Sequence, residues 1–334
     1  MAETDPHVPV DRNLALELVR VTEAAALAAS RWMGRGDKNA ADGAAVEAMR
    51  KAFDTVAISG TVVIGEGEMD EAPMLYIGEK VGLYARAGGG QEVDIAVDPL
   101  EGTSITAKGG PNAMATVALA QKGGFLHAPD IYMDKLAVGP GLPPGVVNLQ
   151  ASVEENLREL AKAKQRSVSD LVVCLLDRDR HKEIVKRCRA AGARIMMIPD
   201  GDVSGVVAVS QVDTGVDIYM GSGGAPEGVL AAAALRCIGG QMQGRLMFEN
   251  DEQIARAREM GVTDPNRIYE LEDMAKGDVM FAATGVTTGP MLRGVRHFGT
   301  GAVTHSIVMR SKSGTVRYVE GHHNFALKPA AFIA

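Results

Sequence analysis

The carboxylates Asp98 and Glu101 stand close together in a segment whose residue types could support metal chemistry. Residues 93–103 read VDIAVDPLEGT, and the β-branched run at its start predicts a buried strand that delivers both carboxylates at its carboxyl end. Like charges this close raise each other's proton affinity unless a cation neutralises them. The segment therefore predicts a site for Mg²⁺ or Mn²⁺, with the Thr103 hydroxyl beside the ion. Gly102 would let the backbone approach a ligand closely.

A second group of carboxylates follows another predicted strand, at residues 61–64. Glu66 stands there between two glycines, and Glu68 follows the second of them. Alone, this motif fits a solvated acidic turn as well as a metal site, but beside the carboxylates of residues 93–103 it favours the metal site. The sequence has neither a cysteine pair at zinc spacing nor a His-Glu-x-x-His helix, which disfavours zinc.

A glycine-rich segment, GSGGAPEG at residues 221–228, is predicted to be a loop between a strand at 216–220 and a helix at 229–237. Free N–H groups and the helix dipole at such a helix start favour an anion such as phosphate. A dinucleotide-binding fold is the alternative. It fits poorly, because Pro226 breaks the glycine pattern and no acidic residue ends a strand about 20 residues later.

Two further carboxylates, Asp42 and Glu227, have two interpretations each. Asp42 falls in the first turn of a helix predicted over residues 40–53, where an acidic residue more commonly balances the helix dipole. Glu227 would repel a pyrophosphate. It is explained either as one more metal ligand or as a charge at the start of a helix.

Two loops carry the residues that could recognise a sugar phosphate. One follows a predicted strand at 171–176 and the other a strand at 194–198, so both should lie at one edge of a sheet. They contain Arg178, Asp179 and Arg180, and Asp200, Gly201 and Asp202. Arginine forks suit bidentate contacts to phosphate, and carboxylates accept hydrogen bonds from sugar hydroxyls. A surface ion-pair cluster is the alternative for the arginine loop.

The surrounding pattern predicts an α/β chain in two lobes, residues 1–165 and residues 166–334. Apolar residues at helical spacing predict helices over much of the first 55 residues. Strands at 113–120 and 136–138 are expected to join the sheet of residues 93–97, before a glycine- and proline-rich boundary at 139–145. The second lobe is predicted to contain parallel strands and to end in a β-hairpin.

Composition limits the classes of function. The chain has 334 residues, is 46% hydrophobic and carries a formal net charge of −7, which suits a globular protein and opposes binding to nucleic acid or anionic lipid. We expect neither a secretory signal nor a membrane span, because no apolar run approaches the roughly 20 residues that a span needs. Three scattered cysteines predict reduced packing residues and a cytoplasmic protein.

At residues 97–103 the sequence resembles the signature of the lithium-sensitive, metal-dependent sugar phosphatases. Five further motifs in the same order are similar to those of the bacterial class II fructose-1,6-bisphosphatase family. They are WMGRGDKN at 32–39, VIGEGE at 63–68, APMLYIGE at 72–79, PDGDV at 199–203 and GGAPEG at 223–228. The resemblance implies an αβαβα sandwich, a homo-oligomer of two or four copies, and hydrolysis of the 1-phosphate of fructose 1,6-bisphosphate to fructose 6-phosphate in gluconeogenesis.

The resemblance also implies roles for individual residues. The metal ligands would be Asp42, Glu66, Asp98, Glu101 and Glu227, with Mg²⁺ or Mn²⁺ as the cofactor. Thr103 would orient the attacking water, and Lys38 is a further catalytic candidate. The substrate contacts would be Glu101, Gly102, Thr103, Tyr132, Arg178, Asp179, Arg180, Asp200, Gly201, Asp202 and Gly224. Sedoheptulose 1,7-bisphosphate and an inositol phosphate remain alternative substrates, and a dinucleotide-dependent oxidoreductase or a non-catalytic sugar-phosphate sensor remains an alternative class.

Overall fold

The structure is a computed structural model that describes residues 14–67, 73–86 and 88–327. Glu68 of the second acidic motif lies outside the described residues. The helices are α1 (Leu14–Ser30), α2 (Lys38–Phe53), α3 (Thr103–Lys108), α4 (Val153–Ala163), α5 (Lys182–Ala190), α6 (Asp202–Ala208), α7 (Ala225–Ile238), α8 (Asp251–Glu259) and α9 (Leu271–Met274). The strands are β1 (Ile58–Ile64), β2 (Lys80–Val81), β3 (Gln91–Glu101), β4 (Met114–Gln121), β5 (Tyr132–Val138), β6 (Val172–Leu176), β7 (Arg194–Ile198), β8 (Ile218–Gly224), β9 (Gln241–Met247), β10 (Ile268–Glu270), β11 (Val279–Gly285), β12 (Arg296–Phe298), β13 (Gly301–Arg310) and β14 (Thr315–Asn324).

The first sheet has the strand order β12-β13-β11-β4-β3-β1-β2, and β14 pairs with β13. The predicted terminal hairpin is confirmed as β13 and β14, which pair antiparallel from Gly301 opposite Asn324 to Arg310 opposite Thr315. Within this sheet β1 and β3 are parallel. Parallel strands end at the same edge, so the chain after β1 and the end of β3 come out side by side.

The second sheet has the order β10-β9-β5-β8-β6-β7. Strand β6 is parallel to both β7 and β8, as predicted for this half of the chain, whereas β5 is antiparallel to β8 and β9. The prediction that residues 136–138 join the first sheet is wrong, because they form the end of β5. A short apolar run indicates that a strand is buried, but it does not indicate which sheet the strand joins.

Three layers of helix alternate with the two sheets. Helices α1 and α2 pack on the outer face of the first sheet around Leu18, Phe53 and Ile95. Helices α6 and α7 lie between the sheets, and α4 and α5 cover the outer face of the second sheet. The run of four alanines at 231–234 in α7 is fully buried, which lets both sheets approach the same helix. This arrangement confirms the predicted αβαβα sandwich.

Two local predictions near the carboxylates are corrected. Helix α2 begins at Lys38, where the Asp37 side chain caps it by accepting a hydrogen bond from the Ala40 N–H at 2.9 Å, so Asp42 lies in the second turn and not the first. Residues 221–228 do not form a loop. Strand β8 continues to Gly224 and α7 starts at Ala225, because small residues can remain in a strand packed closely between neighbours.

The strands of each sheet come from both halves of the chain. Strand β5 belongs to the second sheet although it precedes residue 165, and β11 to β14 return to the first sheet. The proposed lobe boundary at residue 165 therefore does not coincide with the division between the sheets.

Cys174, Cys188 and Cys237 are all buried and free, as expected for packing residues. Among the helices within the described ranges, none is both long enough and apolar enough to cross a membrane.

Helix α1 offers a matched test of the outer layer of the core. Leu18 is fully buried and Leu16 is 53% exposed on the same helix. We expect Leu18→Ala to lower the free energy of unfolding by about 2 to 5 kcal/mol, since it removes buried methyl groups and leaves a cavity. Leu16→Ala should change it by no more than about 0.5 kcal/mol. Urea denaturation followed by circular dichroism measures both, and equal effects would contradict this assignment of the helix faces.

Candidate active site

Carboxylates from three layers of the fold line one cavity of about 290 Å³. Asp42 comes from α2, Glu66 from the chain after β1, Asp98 from β3 and Glu227 from α7. Other residues that line the cavity are Gly65, Gly67, Val97, Leu100, Gly102, Thr103, Asp130, Asp200, Pro226 and Leu230. The structure thus brings together side chains that are almost 190 positions apart in the sequence, between Asp42 and Glu227.

The end of β3 is irregular, and the irregularity falls between its two acidic residues, Asp98 and Glu101. Pairing with β4 is regular as far as Asp98 and then shifts before Glu101. A bulge of this kind re-aims side chains next to functional sites, and Pro99 can occupy it because no ladder hydrogen bond is needed there. Asp98 accepts a hydrogen bond from the Leu100 N–H at 3.1 Å. Glu101 is only 3% exposed, and its Oε1 accepts from the Val203 N–H at 2.6 Å.

The residues after Glu101 change the direction of the chain abruptly. Gly102 has a φ of +94°, in the left-handed region that side chains disfavour, and it begins α3. Thr103 is therefore the first residue of that helix, and it lines the cavity beside Gly102. The glycine allows a strand to end and a helix to start within one residue, so that a carboxylate and a hydroxyl reach the same cavity.

Glu227 depends on an equally tight junction between β8 and α7. Gly224 is the cap of α7, and a Cβ atom there would collide with the Glu227 carboxylate. Pro226 occupies the first turn, where its missing N–H is not needed. Glu227 thus points back over the end of the strand rather than out to solvent, and it is half-buried.

Burial and mutual repulsion make these carboxylates hard to ionise. Burial, with added repulsion from Asp42 and Glu227, raises the pKa of Glu66 to about 8. Burial also raises the pKa of Asp98 well above its usual range, and Glu66 adds to this. The pKa values of Asp42 and Glu227 rise for the same first reason, burial. Such a group is stable in its ionised form only beside positive charge.

The donor set fits a hard divalent cation. The Oε2 atoms of Glu101 and Glu227 are buried and have no hydrogen-bond partner. A buried carboxylate oxygen without a partner is costly, and a cation would remove that cost. Within the described part of the chain, no three acidic, histidine or cysteine side chains are already closed around a single point. The carboxylates therefore share a cavity and would have to close further around an ion.

A second cavity of about 290 Å³ adjoins the first and shares Asp130 and Glu227 with it. Tyr132 and Gly224, both predicted substrate contacts, line this second cavity. The Arg180 guanidinium lies 4.5 Å from the centre of the Tyr132 ring and donates to Ser222 Oγ at 3.0 Å. An exposed aromatic ring and a guanidinium thus stand together at the cavity that adjoins the acidic one.

Comparison with known proteins decides the family. The profile described as bacterial fructose-1,6-bisphosphatase, glpX-encoded, matches residues 12–323. The chain belongs to this family. A protein of Synechococcus sp. (strain JA-3-3Ab) named D-fructose 1,6-bisphosphatase class 2/sedoheptulose 1,7-bisphosphatase is 47% identical over 335 positions, covering 94% of this chain and 96% of the relative. A protein of the same name from Synechococcus elongatus is 46% identical, covering 95% and 97%.

Membership makes the chain a phosphatase, and the family is metal-dependent. The acidic cavity is the place in this fructose-1,6-bisphosphatase family member where the geometry suits that dependence. Four of the five predicted metal ligands line it, and the fifth, Glu101, is buried beside it with an oxygen unpartnered.

Some predicted site residues do not reach either cavity in this family member. Lys38 is exposed at the start of α2. Asp179 has a side chain that is 93% exposed and pairs with Lys182 at 2.9 Å. Arg178 donates from Nη1 to the Pro199 carbonyl at 2.5 Å. The substrate roles of Arg178 and Asp179, and the catalytic role of Lys38, remain predictions.

The turn between β7 and α6 separates its two acidic residues. Asp200 lines the acidic cavity. Gly201, whose φ is +91°, reverses the chain, and Asp202 turns into the interior with a side chain only 7% exposed. There it forms an ion pair with Lys135 and accepts a hydrogen bond from the Tyr219 hydroxyl. The substrate roles of Asp200, Gly201 and Asp202 also remain predictions.

Sequence reasoning did not find Asp130 or Lys135. Asp130 lines both cavities and lies two residues before the start of β5. Lys135 lies inside β5 and is 1% exposed. A lysine between apolar residues of a strand is the signal that could have indicated it, because a buried lysine needs a negative partner. Asp130 carries no comparable signal in the sequence.

The raised pKa of Glu66 predicts how stability depends on pH without metal. The folded state holds the Glu66 proton up to about pH 8, whereas the ordinary pKa of a glutamate is 4.5. The contribution of this proton to the free energy of unfolding is therefore complete below about pH 4.5 and is lost as the pH rises towards 8. In EDTA we expect the melting temperature to fall between about pH 5 and pH 8, and to fall less steeply in Glu66→Gln. Differential scanning fluorimetry measures both slopes.

Glu92→Gln is the matched control for that titration, because the Glu92 side chain is 65% exposed and lines neither cavity. It should keep the wild-type slope. A Glu66→Gln slope equal to that of wild type would mean that Glu66 does not hold a proton in the folded, metal-free protein.

Proposed function

We propose that this chain hydrolyses the 1-phosphate of fructose 1,6-bisphosphate, releasing fructose 6-phosphate and phosphate. The observation that carries the proposal is the convergence of Asp42, Glu66, Asp98 and Glu227 on one cavity. A second cavity adjoins it and is lined by Tyr132, whose ring packs against the Arg180 guanidinium. The first has the charge to collect divalent cations, and the second would hold the sugar beside Tyr132 and Arg180. Family membership supports the same reaction.

We infer that Mg²⁺ or Mn²⁺ is the cofactor, since an all-carboxylate donor set without cysteine or histidine suits hard cations. Its ligands would be Asp42, Glu66, Asp98, Glu101 and Glu227. When bound, a divalent cation of this kind makes water a better nucleophile and neutralises charge on the transferring phosphoryl group. Loss of the ligand protons would accompany binding, because the pKa values of these groups are raised in the metal-free protein.

The chain's own residues would supply position and charge. Thr103 offers a hydroxyl at the edge of the acidic cavity, where it can hold the attacking water by accepting or donating one hydrogen bond. Tyr132 and Arg180 would hold the sugar phosphate from the adjoining cavity, and Asp200 would accept hydrogen bonds from sugar hydroxyls. Holding the reactants in one geometry contributes much of the acceleration in phosphoryl transfer.

A second substrate, sedoheptulose 1,7-bisphosphate, is favoured by the names of the relatives. Both Synechococcus proteins described above carry the names of two bisphosphatases. The second cavity, of about 290 Å³, extends from Tyr132 to Met247, Glu249 and Gln253. We therefore propose that both bisphosphates are substrates and that inositol phosphates are poor ones.

The cellular setting is also a proposal. A phosphatase of sugar bisphosphates with three free, buried cysteines suits a reducing cytoplasm and a role in gluconeogenesis. The family resemblance supports a homo-oligomer of two or four copies, which size-exclusion chromatography with light scattering would test.

Removal of metal tests the proposed reaction. Purified protein with Mg²⁺ or Mn²⁺ should release phosphate from fructose 1,6-bisphosphate and from sedoheptulose 1,7-bisphosphate, and excess EDTA should lower the rate at least about 100-fold. A phosphate-release assay over a substrate panel gives kcat/KM for each sugar. NAD binding without phosphate release would support the oxidoreductase class instead, and bisphosphate binding without release would support the sensor class.

Glu101→Gln tests the role of the buried carboxylate while keeping its shape. The amide oxygen can still accept from the Val203 N–H, but the charge at the unpartnered oxygen is lost. We expect kcat to fall about 100-fold or more, with folding retained. Asp94→Asn is the matched control, because Asp94 is a buried carboxylate on the same strand whose partners are the Gly123 and Gly124 N–H groups. Near-normal turnover in Glu101→Gln would remove Glu101 from the active site.

A further inference from the structure

A cation, Lys135, lies buried next to the acidic cavity. Its side chain is completely inaccessible to solvent, and its Nζ forms an ion pair with the Asp202 carboxylate, which is 7% exposed. A Cβ atom on Gly228 would lie 3.1 Å from Lys135 Cε, so the lysine stem passes under the first turn of α7, the turn that carries Glu227. Burying both members of an ion pair costs several kcal/mol in desolvation unless the geometry returns it.

Asp202 has a second partner that fixes its orientation. The Tyr219 hydroxyl donates to Asp202 Oδ1, while Lys135 contacts Oδ2. Tyr219 is fully buried in β8, and Lys135 lies in the neighbouring strand β5. Both carboxylate oxygens are therefore held by rigid strands of the second sheet, and the side chain has little freedom to move.

The chain on either side of Asp202 serves the proposed active site. On one side, Asp200 lines the acidic cavity. On the other side, the Val203 N–H donates to Glu101 at 2.6 Å. Gly201 gives the turn no side chain of its own to pack. The Asp202 carboxylate is therefore one anchor of this segment on the interior side, and the Ser204 hydroxyl, which donates to the Gly201 carbonyl at 2.7 Å, is another.

We propose that Lys135 is a positioning residue and that, with Tyr219, it holds the Asp202 carboxylate in place. Asp202 in turn fixes the 200–203 segment. That segment presents Asp200 to the substrate and orients Glu101 through the Val203 N–H. Lys135 thus sets the geometry of Asp200 and Glu101 without touching either of them. This proposal rests on the proposed phosphatase function.

The ion pair also separates charges within the acidic region. Asp202 repels both Glu101 and Glu227, and Lys135 attracts Glu227. Without Lys135, the Asp202 carboxylate would remain buried as an uncompensated negative charge beside the two glutamates. The turn would then be displaced away from them, carrying Asp200 with it.

Two changes separate positioning from stability. Lys135→Met alone leaves Asp202 unpaired and should lower the melting temperature. Combining Lys135→Met with Asp202→Asn removes both charges and should restore most of the lost melting temperature. The side chain at position 202 still holds the turn less firmly than in the wild type, because its ion pair is gone. In this double variant we expect KM for fructose 1,6-bisphosphate to rise about tenfold and kcat to fall about tenfold. The milder Tyr219→Phe should raise KM about three- to tenfold and lower the melting temperature less than Lys135→Met does.

Matched controls exist in the same half of the chain. Lys164 pairs with Asp217 at 2.5 Å, and Asp217 is 6% exposed, so Lys164→Met breaks a comparable ion pair away from both cavities. Tyr269→Phe removes the hydroxyl of another buried tyrosine, in β10. Both controls should leave KM and kcat of the folded protein unchanged, even where the melting temperature falls.

A binding measurement adds a readout that does not depend on turnover. Titration calorimetry with fructose 6-phosphate in EDTA should give a Kd about tenfold higher for the double variant than for wild type. Wild-type KM, kcat and Kd in the double variant and in Tyr219→Phe would overturn the positioning role. An inactive wild-type protein with Mg²⁺ and Mn²⁺ would overturn the proposed function instead, so the two failures are distinguishable.

Discussion

Repulsion among buried carboxylates is the constraint on which this structure depends. Six acidic residues line one cavity, and a seventh, Glu101, lies buried beside it. The neighbouring carboxylates oppose the ionisation of Asp98 and of Glu101. A flexible chain would relieve the repulsion by moving these groups apart. Here they are attached to strand ends and helix starts that the core holds in place, which leaves the cavity poised to take up positive charge.

The layered fold provides that rigidity in a specific way. The parallel pair β1 and β3 brings two acidic segments to one edge of the first sheet, and α7 brings Glu227 from between the sheets. The glycines at both junctions, Gly102 and Gly224, make the turns short enough for the side chains to meet.

Much of this site could be predicted from local sequence, and the remainder could not. Asp98, Glu101 and Thr103 were predictable because strand, bulge and helix start lie within a few residues, and the αβαβα order followed from family motifs. The sheet that β5 joins was not predictable, since strand pairing is decided by contacts between residues far apart in the sequence. Residues 221–228 were assigned to a loop because glycines suggest turns, whereas close packing keeps the first four in β8. Lys135 was missed because its partner, Asp202, is distant in sequence.

The candidate site residues fall into two groups, one on each sheet. The acidic residues Asp98 and Glu101 belong to the first sheet and Glu66 follows its strand β1, whereas Tyr132, Asp200 and Gly224 belong to the second sheet or to the turns at its ends. Under the proposed function, ester cleavage would depend mainly on the first group and sugar recognition on the second, and α6 and α7 lie between the two sheets. Substitutions in the second sheet and its turns would then change the sugar specificity of a related enzyme while the residues of the first sheet keep the hydrolytic chemistry.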